Sequence, residues 1–136
     1  MEVLNDILGY KNRKIFQDND CFSFSLDSIM LANFATIRLR DKLICDLGCG
    51  NAVIPLIMSL RTDKQIVGVE IQKRLADMAQ RSVEHNKLSE QILIFNEDMK
   101  EFANGNYFES FDMITCNPPY FKYQDDSLIN NILKIH

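Results

Sequence analysis

The chain has 136 residues, of which 46% are hydrophobic and 25% are charged, fractions close to those of an average globular domain. No run of about 18 apolar residues predicts a membrane span, and the formal net charge of −4 gives no basic surface of the kind that phosphate contacts require. We expect one domain in the reducing cytoplasm, because the N-terminal residues show no basic segment followed by an apolar core. The four cysteines and two histidines lack metal-ligand spacing, so no metal site is predicted.

The first predicted elements lie in a segment of about 40 residues that precedes the sheet. Residues 14–17 and 21–24 are expected to pair as a short hairpin, because the Asp-Asn-Asp sequence at residues 18–20 suits a chain reversal. Asp27 stands at a predicted helix N-cap. After it, apolar side chains recur at the spacing of an amphipathic helix: Ile29, Met30, Leu31 and Phe34.

A glycine-rich turn follows the first strand of the predicted sheet. Residues 43–46 form a short apolar strand that ends in Asp46, and Gly48 and Gly50 precede an apolar helix over residues 53–60. The glycines let the backbone turn tightly and approach a ligand, as in nucleotide-binding βαβ units. A carboxylate at Asp46 repels a pyrophosphate but attracts a cationic amino-acid group. The pattern therefore favours S-adenosylmethionine over a dinucleotide such as NAD.

Further apolar strands alternate with helices along the rest of the chain, at residues 65–69, 92–96 and 111–116. Right-handed crossovers between such strands produce a parallel sheet. Glu70 directly follows the second strand, at the position from which a carboxylate accepts hydrogen bonds from ribose hydroxyls. A helix over residues 72–86 is predicted to contact the sheet through Leu75, Met78, Ala79 and Val83.

The fourth strand ends in the motif Asn117-Pro118-Pro119-Tyr120. The Asn117 side-chain oxygen and the Pro118 carbonyl can each accept a hydrogen bond from an exocyclic amine, and Tyr120 can stack on a flat base. Such a corner holds the amine nitrogen in line for an incoming electrophile. The structural alternative is a Pro-Pro turn that only ends a strand.

These motifs together resemble the class I S-adenosylmethionine-dependent methyltransferases that act on adenine amino groups, over nearly the whole chain. The segment from Asp46 through Gly48 to Gly50 is similar to the family's first cofactor motif, and Glu70 to its ribose-binding acid. Asp98 is similar to the residue that reads the cofactor's adenine, and residues 117–120 to the catalytic motif. The nearest resemblance is to the bacterial tRNA (adenine-N6) methyltransferases that modify an anticodon-loop adenine of valine tRNA.

The resemblance implies a Rossmann-like α/β fold whose parallel strands have the spatial order third, second, first, fourth. The winding reverses between the first and fourth strands, and the crevice that opens there receives both motifs. Residues 8–10 and 22–28 are similar to the family's start, a cap segment that closes over the cofactor, so residues 41–120 would be the cofactor-binding and catalytic core. Ala52 stands where the family often has glycine, which implies that its methyl group crowds the cofactor.

The implied reaction is in-line displacement at the sulfonium methyl group by the adenine amino nitrogen, with no strong base and with positioning as the main source of acceleration. Release-factor glutamine methyltransferases also resemble this pattern and are the enzymatic alternative. A non-catalytic cofactor-binding fragment is the alternative of another class. The only local basic cluster, Lys11 to Lys14, suits a phosphate contact or a solvated face equally.

Sixteen residues follow Tyr120, enough for a short helix at about residues 127–135, whereas the family's sheet continues with a fifth strand and an antiparallel pair. The resemblance therefore implies that the later strands are missing and that the chain is truncated at its C-terminus. The fourth strand would then be an exposed apolar edge. We expect this piece to be catalytically silent and to self-associate through that edge or aggregate.

Overall fold

The computed structural model describes residues 1–7, 9–18, 26–107 and 109–117, apart from the Lys11 side chain. The elements in chain order are β1 (Glu2–Ile7), β2 (Tyr10–Asp18), α1 (Leu26–Phe34), β3 (Leu43–Leu47), α2 (Val53–Met58), β4 (Gln65–Val69), α3 (Lys73–His85), β5 (Ile92–Phe95), α4 (Met99–Ala103) and β6 (Met113–Cys116). The predicted strand at residues 21–24, the predicted helix at residues 127–135 and residues 118–120 of the corner motif lie outside the described residues.

Four parallel strands form the central sheet in the order β5-β4-β3-β6. They correspond to the third, second, first and fourth predicted strands, so the predicted α/β fold class and strand order are confirmed. The winding direction reverses between β3 and β6. Such a reversal opens a crevice at the carboxyl ends of the two strands, which is the usual position of a ligand in an open α/β sheet.

Both faces of this sheet are covered, which explains why its strands are continuous apolar runs. Ile44 belongs to a core cluster formed with the fully buried helix α2, the hairpin and α1. The next residue, Cys45, belongs to the opposite cluster, which contains the stacked rings of Phe102, Tyr107 and Phe111. Phe111 is fully buried there but precedes β6, so the fourth strand starts two residues later than predicted.

The N-terminal hairpin differs from the predicted one. β2 pairs antiparallel with β1 and continues through Asp18, which the prediction assigned to the turn. Side chains occupy the other edge of β2. Asn86 bonds the backbone N–H and carbonyl of Lys14, Ser82 accepts from the Phe16 N–H, and Asn51 donates to the Phe16 carbonyl. In the described residues β1 is thus the strand that pairs with β2, and the predicted pairing of residues 14–17 with residues 21–24 lies outside what the structure describes.

Helix α1 buries only part of the predicted face. Ile29 and Leu31 are partly buried against the core, whereas Met30 and Phe34 are exposed, and the fully buried residues of the helix are Ser28 and Ala32. The helix begins at Leu26, so Asp27 lies in the first turn, where a carboxylate still favours the helix dipole. Helix α3 buries Leu75, Met78, Ala79 and Val83 as predicted, and no helix in the described residues has the length and hydropathy needed to cross a membrane.

Candidate cofactor and active site

In the glycine-rich loop after β3, every second residue has a left-handed backbone conformation. Gly48, Gly50 and Ala52 have φ angles of +66°, +56° and +75°. For alanine this conformation costs about 1–2 kcal/mol, which glycine avoids. Ala52 is fully buried and is not among the residues that line the neighbouring cavity. The expected crowding of a cofactor by the Ala52 methyl group remains a prediction, and in the structure the departure from glycine acts on the backbone conformation.

Gly68 in β4 provides the space in which the loop sits. A Cβ atom at Gly68 would lie 2.9 Å from Cys49 Sγ and 2.9 Å from Ile94 Cδ1. The Cys49 N–H also donates to the carbonyl of Val69, so the loop is anchored to the same strand at 3.0 Å. The sequence gives no local signal for Gly68, because its role depends on the packing of one strand against a loop that follows another.

We expect Gly68→Ala to lower the free energy of unfolding by about 1–3 kcal/mol, because the added methyl group overpacks the loop. Cys49→Ala in the same chain should recover part of the loss by removing the contacting sulfur. Gly105→Ala is the matched control, since its Cβ would meet nothing closer than 3.5 Å. Urea unfolding of the four proteins measures this, and equal stability of Gly68→Ala and Gly105→Ala would contradict it.

Glu70 ties the loop to the next strand. Its Oε1 accepts from the Gly50 N–H at 3.0 Å and its Oε2 accepts from the Gln72 N–H at 2.7 Å. The side chain is buried and lines the cavity. Each carboxylate oxygen has a second lone pair, so these backbone bonds leave acceptor capacity for ribose hydroxyls. The ribose-binding role remains a prediction, and the structure adds a role in holding Gly50.

We expect Glu70→Ala to weaken binding of S-adenosylhomocysteine by about 1.5–3 kcal/mol through the loss of charge-assisted hydrogen bonds. Calorimetric titration measures the effect, with the 2′,3′-dideoxy analogue as a second ligand. If Glu70 binds the ribose, the variant should lose the preference for the hydroxylated ligand. Equal weakening of both ligands would mean that Glu70 acts only through the loop, and the ribose assignment would fail.

Asp46 lies at the end of β3 and is 1% exposed. Thr115 Oγ1 donates to Asp46 Oδ1 at 2.8 Å from the neighbouring strand β6. Asp46 Oδ2 is buried and has no hydrogen-bond partner among the described residues. Burial is the main cause that raises the pKa of Asp46 to about 7, while the Thr115 bond lowers it and the charge of Glu70 raises it. This oxygen is suited to a cationic group that enters the cavity.

Asn51 adds a second acceptor, which sequence analysis missed. It is 1% exposed, and its Nδ2 donates to the Phe16 carbonyl at 3.1 Å, which links the hairpin to the glycine loop. Asn51 Oδ1 is buried and has no partner within the described part of the chain. Buried polar atoms are normally hydrogen-bonded, so both oxygens are available to a donor group that enters the cavity. An α-ammonium group, with three N–H donors, has this chemistry.

A single cavity brings most of the predicted site residues together. Its lining comprises Ser28, Asp46, Gly48, Cys49, Gly50, Asn51, Val53, Ile54, Glu70, Gln72, Leu75 and Asn117. Four of the five predicted cofactor residues and the first residue of the corner motif are thus neighbours.

Burial raises the pKa of the Cys49 thiol in this lining, and it raises the pKa of the Cys116 thiol to about 11. The two thiols are therefore protonated at neutral pH and unsuited to nucleophilic catalysis.

Asp98 does not belong to the cavity lining of the described residues. Its carboxylate caps helix α4 by accepting from the Lys100 N–H at 2.8 Å. Nearby, Asn96 follows β5 and its Nδ2 donates to the carbonyls of Glu70 and Ile71 at 2.9 and 3.0 Å. These two bonds hold the residue after β5 against the residues that follow β4. Recognition of the cofactor's adenine by Asp98 remains a prediction.

Asn117 stands at the end of β6, where its Nδ2 donates to Ser28 Oγ at 2.8 Å. The two side chains lie in the same cavity lining. The remaining predicted catalytic residues, Pro118, Pro119 and Tyr120, lie outside the described residues. Sequence analysis placed Ser28 in a segment that resembles the family's start but gave it no contact, because a bond between a helix and a strand this far apart in the chain leaves no local pattern.

Two solved structures of methyltransferases have the same arrangement. The S-adenosylmethionine-dependent methyltransferase from Agrobacterium tumefaciens aligns with a TM-score of 0.66 and 16% identity over 87% of this chain and 40% of that one. TrmK from M. capricolum, solved with the natural cofactor product S-adenosylhomocysteine, aligns with a TM-score of 0.58 and 19% identity over 70% of this chain and 41% of its own. The fold is that of the class I methyltransferases.

Comparison of sequences identifies the family within this fold. The family described as methyltransferase small domain matches residues 16–134, and the chain belongs to it. The tRNA1(Val) (adenine(37)-N6)-methyltransferase of Photorhabdus laumondii is 30% identical over 118 residues, 84% of this chain and 48% of that protein. Its counterpart in Yersinia enterocolitica is 26% identical over 114 residues, 82% of this chain and 45% of that protein. The chain thus spans about half the length of these relatives, and family and fold together indicate S-adenosylmethionine as its cofactor.

Proposed function

We propose that this protein transfers a methyl group from S-adenosylmethionine to the exocyclic amino group of adenine in the anticodon loop of a tRNA. The observation that carries the proposal is the common cavity of Asn117 and the residues around the glycine loop. An amine acceptor and a cofactor donor must meet at one point for in-line transfer. The two relatives named as tRNA adenine-N6 methyltransferases support the choice of adenine in tRNA.

Asp46 and Asn51 are the residues proposed to hold the amino-acid end of the cofactor, because their buried acceptor oxygens suit an ammonium group. Glu70 is proposed for the ribose and Asp98 for the adenine ring. When bound, S-adenosylmethionine supplies an electrophilic methyl group on a positively charged sulfur. In the proposed transfer the carbon–sulfur bond would break as the nitrogen–carbon bond forms, its electron pair would stay on sulfur, and a proton would leave the nitrogen for solvent.

The corner motif is proposed to bind the acceptor base. Asn117 Oδ1 and the Pro118 carbonyl would accept hydrogen bonds from the adenine amine, which favours a more pyramidal nitrogen with a more exposed lone pair. Tyr120 would stack on a base turned out of the loop, a contact worth about 1–3 kcal/mol in other proteins that bind single strands. Positioning by these groups would supply most of the acceleration, with no strong base.

The rest of the proposal concerns the protein as a whole. One domain would include a cap at about residues 1–40 and a catalytic core at residues 41–120, and the protein would act in the cytoplasm, where tRNA is modified. Self-association through β6, which lies at one end of the described sheet, remains a prediction.

Transfer of tritiated methyl groups tests the proposed substrate class. Bulk tRNA and a release factor are offered separately, each with labelled S-adenosylmethionine, to the protein expressed from its full reading frame. We expect label in tRNA. Label in the release factor alone would favour the glutamine methyltransferase alternative, to which a net charge of −4 is no obstacle. Label in neither substrate, with cofactor binding intact, would favour a non-catalytic cofactor-binding role.

A further inference from the structure

The bond between Ser28 and Asn117 joins helix α1 to the end of strand β6. Asn117 Nδ2 donates to Ser28 Oγ at 2.8 Å, and Ser28 is 6% exposed. Both residues line the cavity that contains Asp46 and Glu70. The Ser28 hydroxyl makes this bond, which an alanine of similar size at the same position could not make.

The chemistry of a carboxamide makes this bond informative. Asn117 has one amino group, which only donates, and one oxygen, which only accepts. When the amino group is held by Ser28, the position of the oxygen is fixed as well, because the two atoms share one plane. An exocyclic amine of a target base brings N–H donors, so it needs the oxygen and is repelled by the amino group. If the carboxamide were rotated by 180°, its amino group would face the amine of the base, and two donors cannot form a hydrogen bond with each other.

We propose that Ser28 is a positioning residue that fixes the side-chain amide of Asn117 with its oxygen directed to the acceptor amine. The inference deepens the proposed function and rests on it. It assigns to α1, a part of the cap segment, a role in the methyl-accepting half of the site. Ser28 itself touches neither the base nor the cofactor in this assignment, and it acts only through Asn117.

Helix α1 is well fixed for such a role. Arg61, just after α2, donates from Nη1 to the Ala32 carbonyl at 2.6 Å and from Nη2 to the Ala35 carbonyl at 2.8 Å. These bonds satisfy carbonyls at the C-terminal end of α1. On the same helix, Asn33 Nδ2 donates to the Tyr10 hydroxyl at 2.5 Å and so connects α1 to the hairpin. These bonds hold α1 against its neighbours and so fix the place of the Ser28 hydroxyl, which in the structure accepts from the Asn117 amino group.

Ser28→Ala tests the inference, with Ser82→Ala as the matched control. Ser82 is likewise a buried helix serine, and its Oγ accepts from the Phe16 N–H at 2.9 Å. The variants are made in the protein expressed from its full reading frame. We expect Ser28→Ala to lower kcat for tRNA methylation about tenfold, with KM for S-adenosylmethionine unchanged. Ser82→Ala should lower Tm and leave kcat within about twofold.

A spectroscopic measurement separates positioning from a general structural effect. The side-chain NH₂ signals of Asn117 are assigned by their loss in Asn117→Ala and then followed in ¹⁵N-labelled Ser28→Ala. We expect these signals to shift in Ser28→Ala and not in Ser82→Ala. Unchanged kcat and unchanged Asn117 signals in Ser28→Ala would overturn the inference and leave the proposed function standing, as would equal losses of kcat in both serine variants. Absence of adenine methylation by the wild type would overturn the proposed function and the inference with it.

Discussion

Asn117→Ala is expected to abolish methylation of adenine in tRNA while affinity for S-adenosylhomocysteine stays within about twofold of the wild type. The amide is proposed to contact the target amine, and its described bond is to Ser28 rather than to the glycine loop. Loss of one preorganised polar group at a reacting centre commonly costs about 10²–10³ in kcat, and misplacement of the nucleophile adds to that. Single-turnover methylation and calorimetry on the same preparations measure the two quantities.

Asn5→Ala is a suitable control for this substitution. Asn5 is an exposed hairpin residue whose Nδ2 donates to Gln17 Oε1 at 3.0 Å, far from the cavity lining. Its loss should leave both the rate and the cofactor affinity unchanged. Undiminished formation of N6-methyladenosine by Asn117→Ala would refute the role of the amide. If Asn117→Ala lost as much cofactor affinity as rate, Asn117 would contact the cofactor and not the acceptor base.

Asp46→Asn is expected to stabilise the folded protein above pH 7 and to weaken cofactor binding. Burial raises the pKa of Asp46 to about 7 from an ordinary value of 3.8. Between these two pH values the folded state holds a proton that the unfolded state has released, so the contribution of Asp46 to stability falls as pH rises. Across this pH range the contribution of Asp46 to the free energy of unfolding falls by about 4 kcal/mol, and the fall is complete above about pH 7.

Urea unfolding of both proteins from pH 4 to pH 8 checks this expectation. The stability of the wild type should fall relative to that of Asp46→Asn by up to about 1.4 kcal/mol per pH unit, since one proton is involved. Affinity for S-adenosylhomocysteine should rise with pH in the wild type as Asp46 ionises, and Asp46→Asn should lose that dependence. Parallel stability profiles for the two proteins would show that Asp46 is not held protonated in the folded state.

The sequence was sufficient to predict the sheet and the position of its crevice. Continuous apolar strands, a glycine turn after the first and an acid after the second follow from local patterns, and the observed order β5-β4-β3-β6 agrees with the resemblance. The cavity contains Asp46, Gly48, Gly50, Glu70 and Asn117, which the motifs had singled out. These residues lie at the carboxyl ends of neighbouring parallel strands, where topology alone brings them together.

The residues that connect the motifs were not predictable in the same way. Ser28, Asn51 and Thr115 act through bonds to distant parts of the chain. Thr115 could have been found from strand alternation, because it lies on the same face as Asn117 and opposite Asp46 in the register. Ser28 could not, since the apolar spacing of α1 predicted that Ile29, Met30, Leu31 and Phe34 would face the core and gave no signal for a buried serine. The side chains that bond the edge of β2 away from β1 likewise gave no sequence signal.

Mass spectrometry of nucleosides tests the central claim most directly, namely that Asn117 and the glycine loop bring an adenine amine and a methyl donor together. tRNA is incubated with the protein from its full reading frame and S-adenosylmethionine that carries a trideuterated methyl group, and is then digested to nucleosides. The account predicts trideuterated N6-methyladenosine, and none of it from the Asn117→Ala variant. Label on any other nucleoside, or an equal yield of labelled N6-methyladenosine from the variant, would contradict the account.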